Sequence, residues 1–92
     1  MSKLRVLIVD DEAPARRKLR RQLSEIANIE VIGEAKDGQQ ALSEIEQKRP
    51  DLILLDIQMP GMTGFDVLRL LEPPPPDVIF VTAFDKYAIK AF

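Results

Sequence analysis

The sequence predicts an α/β fold, a doubly wound parallel sheet with helices on its faces. Four short apolar runs recur along the 92 residues. Three of them are continuous rather than alternating, as expected of strands buried on both faces. The stretches between the runs carry apolar residues at helical spacing and are long enough for right-handed crossovers.

The first run, Val6-Leu7-Ile8-Val9, is the first strand. From Pro14, suited to a first helical turn, Ala15, Leu19, Leu23 and Ile26 recur at spacings of four, four and three and make one apolar stripe. Val31-Ile32, flanked by Glu30 and Glu34, reads as a short edge strand. A second helix starts after Asp37-Gly38, presents Ala41, Leu42 and Ile45, and stops before Pro50. Leu52-Ile53-Leu54-Leu55 is the third strand, and a third stripe of Phe65, Leu68 and Leu71 ends at Pro73. Pro73-Pro74-Pro75-Pro76 reads as a stiff polyproline II spacer; a ligand for a proline-recognition domain is the alternative. Val78-Ile79-Phe80-Val81 is the fourth strand, followed by a helix start over Lys86 to Phe92.

Composition narrows the chemistry. An apolar fraction of 46% and a charged fraction of 30% are ordinary for a globular domain, and the size suits a single core. The net charge of −2 argues against nucleic-acid binding through the bulk field, and the absence of Trp argues against a base-stacking platform. With no Cys there are no disulfides or thiolate metal sites, and with no His the commonest general base and zinc ligand are gone. A metal here is a hard cation held by oxygens. The apolar runs fall far short of a membrane span, and Met1 to Arg5 has no signal core, so no membrane association and a cytoplasmic location are expected. Arg16-Arg17-Lys18-Leu19-Arg20-Arg21 puts five basic residues in six on a helix. A solvated face is one reading, docking of a kinase or neighbouring subunit the other.

In doubly wound sheets function collects beyond the carboxyl ends of the strands. The first run ends in Asp10-Asp11-Glu12, the third in Asp56 and the fourth in Thr82. With strand order 2-1-3-4, strands one and three are neighbours, so Asp10, Asp11 and Asp56 converge on one rim with Thr82 beside them. Glu12 fits a first-turn acid favoured by the helix dipole. Three carboxylates in one cleft repel each other and raise one another's pKa. Mg²⁺ is the natural remedy, and a carboxylate neutralised in this way can attack phosphorus and carry a phosphoryl group. The loop Ile57 to Gly64, punctuated by Pro60 and Gly61, follows Asp56 directly and lies where loops tend to carry function.

Val6-Leu7-Ile8-Val9-Asp10-Asp11-Glu12, Leu54-Leu55-Asp56-Ile57-Gln58-Met59-Pro60-Gly61 and Phe80-Val81-Thr82-Ala83 together resemble the receiver domain of bacterial two-component response regulators. The resemblance covers essentially the whole chain and implies a flavodoxin-like receiver. It implies that Asp56 is the phosphoacceptor, served by the phosphohistidine of a sensor histidine kinase. Asp10, Asp11, Asp56 and the backbone carbonyl of Gln58 would hold Mg²⁺, and Thr82 would be the switch hydroxyl. Residues 82–92 are similar to receivers joined to a LytTR-type DNA-binding domain, so DNA would be reached only through an output domain absent from this chain. A receiver of this kind continues into a fifth strand bearing a lysine and a fifth helix, and the sequence stops at Phe92. Residues 1–92 are therefore read as one incomplete receiver domain, truncated before the fifth strand.

Two functions of different class follow. The first is a signalling module, not a conventional enzyme, in which phosphorylation of Asp56 switches an output such as transcription; its only expected activities are autophosphorylation and self-dephosphorylation. The second is a receiver remnant without a competent switch, which forms a homo-oligomer through an exposed fourth strand. An aspartate-based hydrolase is set aside because its Asp-x-Asp pair is missing: Asp10 and Asp11 are adjacent, and Ile57-Gln58 follows Asp56.

Overall fold

The computed structural model of the chain describes residues 3–81. Thr82, Lys86, Lys90 and the expected helix start over Lys86 to Phe92 lie outside the described residues. The elements are β1 (Leu4–Val9), α1 (Ala13–Ser24), β2 (Ile29–Ala35), α2 (Gly38–Lys48), β3 (Leu52–Asp56), α3 (Gly64–Leu70) and β4 (Asp77–Val81). They build a parallel sheet in the order β2-β1-β3-β4. The expected fold class and strand order are both observed.

Alternation along the strands sorts the core into two layers. Leu7, Val9, Ala35, Ile53 and Leu55 point to one face, where Ala41 and Ile45 of α2, Val67 of α3 and Met59 close over them. Val6, Ile8 and Leu54 point to the other face and are also buried. There α1 lies over β1 and β2. The apolar strands are thus covered on both sides at the centre of the sheet, as continuous runs require.

Two expectations need correction. The α1 stripe does not extend to Ile26, because the helix ends at Ser24 and Ile26 is 51% exposed. On α3 the buried positions are Gly64 and Val67, while Phe65 and Leu68 of the expected stripe are exposed. The helix begins at Gly64 because Thr63 caps it, accepting from the Asp66 N–H at 3.1 Å while Asp66 accepts from the Thr63 N–H at 3.0 Å. That cap fixes which face meets the sheet.

The helices on the two faces are anchored differently. Asp37 caps α2 by accepting from the Gln40 N–H at 2.8 Å. At its other end the Arg5 guanidinium donates to the carbonyls of Lys48 and Arg49, which have no partner within the helix. Glu12 sits at the N-cap of α1, before its first turn, and its side chain makes no capping bond. Among the described residues no helix is long and apolar enough to cross a membrane.

Candidate functional site

β1 and β3 are neighbours in register, with Val9 opposite Leu55, so their carboxyl ends stop at the same level. The ladder runs one residue past β1, since the Asp10 N–H donates to the Ala35 carbonyl at 3.0 Å. Asp10 and Asp56 therefore stand side by side on the rim, and the chain turning into α1 brings Asp11 in from above. A carboxylate oxygen from each of Asp10, Asp11 and Asp56 lies within 4.8 Å of the others. Asp10 and Asp56 are buried, at 6% and 7% exposure, while Asp11 is open to solvent.

Burial sets the electrostatics, with the Arg16 charge offsetting it only weakly at Asp10. Asp56 is pushed up to about 6, first by desolvation and then by the Asp10 charge, with Asp11 adding to it. The Gln58 N–H, donating to Asp56 Oδ1 at 3.3 Å, opposes the rise only in part. Asp10 is raised too, mainly by burial, against the Glu12 N–H that donates to its Oδ1 at 2.9 Å. An all-oxygen donor set with one solvent-facing member fits a hard cation that keeps part of its water shell, such as Mg²⁺.

The loop after Asp56 is held against it. The Gly64 N–H donates to the Ile57 carbonyl at 2.9 Å. A Cβ on Gly64 would come within 2.5 Å of the Asp56 carbonyl oxygen, so only glycine lets α3 start this close to β3. Gly61 turns the loop at a φ of 81°, and Met59 drops into the core. Met62 packs on Gly38 at the start of α2.

Of the residues expected at the site, Asp10, Asp11 and Asp56 are brought together. Gln58 lies two residues past Asp56 and is exposed. Thr82 lies outside the described residues; it follows Val81, the register partner of Asp56. Two arginines of the basic run are structural. Arg16 Nε and Arg20 Nε reach the two oxygens of Glu34 at 3.0 and 2.6 Å, and Arg16 Nη1 donates to the Asp10 carbonyl at 2.7 Å. The run by itself reads as a solvated face or a docking surface for a kinase or neighbouring subunit, and neither reading separates Arg16 and Arg20 from the rest. The available signal was Glu34, an acid near the carboxyl end of the edge strand, facing the side that α1 must cover.

The model of the response regulator receiver domain matches residues 6–92. The transcriptional regulatory protein BtsR of Escherichia coli K12 is 46% identical over 90 residues, which is 97% of this chain and 38% of that protein. The response regulator domain of Thermotoga maritima CheB superimposes with a TM-score of 0.82 at 33% identity, over 97% of this chain and 70% of that one. A chain of the CheX–CheY–BeF3–Mg²⁺ complex from Borrelia burgdorferi gives 0.80 at 26% identity, over 97% and 69%. The chain thus spans well under half the length of BtsR.

Proposed function

Because the chain belongs to the response regulator receiver family, we propose that it accepts a phosphoryl group on Asp56 as the input step of a two-component signalling system. The observation that carries this is the meeting of the Asp10, Asp11 and Asp56 carboxylates within 4.8 Å at the carboxyl rim of β1 and β3. An Asp56 carboxylate oxygen attacks the phosphorus of a phosphohistidine on a sensor histidine kinase. The new O–P bond forms as the N–P bond breaks, and the imidazole nitrogen keeps the electron pair and takes a proton. Asp10, Asp11, Asp56 and the Gln58 carbonyl would hold Mg²⁺, which would supply positive charge to keep Asp56 ionised and to offset charge on the phosphoryl oxygens.

The chain's own residues supply the rest. With a pKa of about 6, Asp56 is mostly ionised at neutral pH even in the metal-free cluster. The Gln58 N–H orients its carboxylate. Thr82, one residue past the register partner of Asp56, is the hydroxyl that answers phosphorylation by moving toward it. The chain acts in the cytoplasm as a phosphoacceptor, with autophosphorylation from small donors and self-dephosphorylation as its only catalysis. BtsR bears the name of a transcriptional regulatory protein, which supports a transcriptional output reached through DNA-binding residues outside 1–92.

The test is intact mass after exposure to Mg²⁺ and acetyl phosphate. A gain of one phosphoryl group in the wild type, absent in Asp56→Ala, is expected; no gain in a folded sample overturns the assignment.

β4 favours a homo-oligomer in addition. Among the described residues it has one strand neighbour, β3, and its Ile79 is 52% exposed. An apolar edge of this kind pairs readily with a second chain. Light scattering at high micromolar concentration decides, and a strictly monomeric mass overturns the association.

A further inference from the structure

We propose that Arg16 is a positioning residue for the cation site, fixing the peptide plane from which Asp11 hangs; this rests on the Mg²⁺ reading above. The carbonyl of Asp10 lies past the end of β1, where a strand terminus leaves backbone groups to find other partners. Arg16 Nη1 takes it at 2.7 Å, while the Asp10 N–H is already bound to Ala35 at 3.0 Å. Asp10 is thus held through both of its peptide groups, and its side chain is held by the Glu12 N–H at 2.9 Å. The Asp10 carbonyl and the Asp11 N–H belong to one planar unit, so fixing the first orients the second and the Cα that carries the Asp11 carboxylate.

Arg16 is itself locked. Its Nε is bound to Glu34 Oε1 at 3.0 Å, and its side chain is 18% exposed against 48% for Arg20 on the other Glu34 oxygen. A planar fork can hold a carboxylate with one nitrogen and a carbonyl with another; the point charge of a lysine cannot reproduce that geometry. No bond from Arg16 goes to an Asp10, Asp11 or Asp56 carboxylate among the described residues, so the cation-binding oxygens stay free.

This assignment predicts a sign that simple electrostatics does not. A nearby positive charge repels Mg²⁺, so if charge alone mattered, removing Arg16 would tighten Mg²⁺ binding. Loss of positioning weakens it. The experiment is an Mg²⁺ titration of the full chain followed by ¹⁵N–¹H NMR shifts, for wild type, Arg16→Ala, Arg16→Lys, Glu34→Gln and the Arg16→Ala/Glu34→Gln double variant. The expected result is about tenfold weaker binding in Arg16→Ala, typical of residues that orient metal ligands. Arg16→Lys should not rescue it, Glu34→Gln should weaken binding less, and the double variant should be no worse than Arg16→Ala. Unchanged or tighter binding in folded Arg16→Ala overturns the assignment. Should Arg16→Ala fail to fold, Glu34→Gln decides, and wild-type affinity there overturns it. A wild-type chain that binds no Mg²⁺ overturns the site reading and this assignment with it, whereas wild-type binding with an indifferent Arg16 overturns the assignment alone.

Discussion

The two faces of the sheet are built by different means. On one, α2 and α3 seal a continuous apolar layer from Leu7 and Val9 through Ile53 and Leu55 to Ala41, Ile45 and Val67. On the other, α1 contributes no buried residue of its own, and its inner flank is tied down by Arg16 and Arg20 gripping Glu34. Beyond α1, toward β4, Ile79 is half open. The site lies where these faces meet at the rim. The backbone of Asp56 is fixed from the close-packed side, where Gly64 is pressed against its carbonyl. Asp10 is secured from the α1 side by polar contacts, its carbonyl by Arg16 and its carboxylate by the Glu12 N–H. Packing fixes one wall of the cleft and directional bonds fix the other, so the two walls should respond differently to mutation.

The largest contrast is in stability. Leu55 is fully buried in the sealed layer, and Leu55→Ala is expected to cost about 2–5 kcal/mol through lost burial and the cavity left behind. Ile79, on the next strand but pointing to the other face, should lose under about 1 kcal/mol on the same truncation. Urea melts of the two variants check this. Equal losses would mean that the α1 face is as well packed around β4 as the opposite face, and the distinction between the walls would fail.

Much of this was legible in the sequence, and what was not has physical reasons. Continuous apolar runs specify strands buried on both sides, and acids directly after them specify a carboxylate rim, because strand ends in a parallel sheet share one level. Hence the placement of Asp10, Asp11 and Asp56 follows from reading β1 and β3 alone. The α3 stripe was misassigned because Phe65 and Leu68 are more apolar than Gly64, yet the glycine is the residue that can approach the Asp56 backbone; hydrophobicity carries no information about close approach. Phe65 instead lies on the flank of the helix, its ring 5.0 Å from that of Phe80. Arg16 was hidden among five basic residues because its role depends on Glu34, 18 positions away, and on a carbonyl that no side-chain pattern reveals.

The smallest effect is expected at the rim itself, and it has the opposite sign. Burial and the Asp10 charge raise Asp56 to about 6 from its ordinary 3.8, and Asp10 is raised as well. A carboxyl with a raised folded-state pKa contributes its full stability below 3.8 and loses it as pH rises through about 6. Glu34 runs the other way: its bond to Arg20, aided by Arg16, lowers it, so its contribution is present above 4.5 and fades only as the solution becomes more acidic. Asp56→Asn keeps an oxygen for the Gln58 N–H but carries no charge. It should be more stable than the metal-free wild type at pH 7 by on the order of 1 kcal/mol, allowing for solvent screening. That advantage should shrink as pH falls from 7 and vanish only by about pH 3, below the ordinary 3.8, where Asp56 is protonated in the folded state and largely so in the unfolded one. Thermal melts at the two pH values read the gap directly. Mg²⁺ should narrow it at pH 7 by stabilising the wild type through mass action, while the variant has lost a ligand. If the wild type is instead the more stable protein at pH 7 without metal, the buried carboxylates are compensated within the fold, and the rim has no electrostatic reason to recruit a cation.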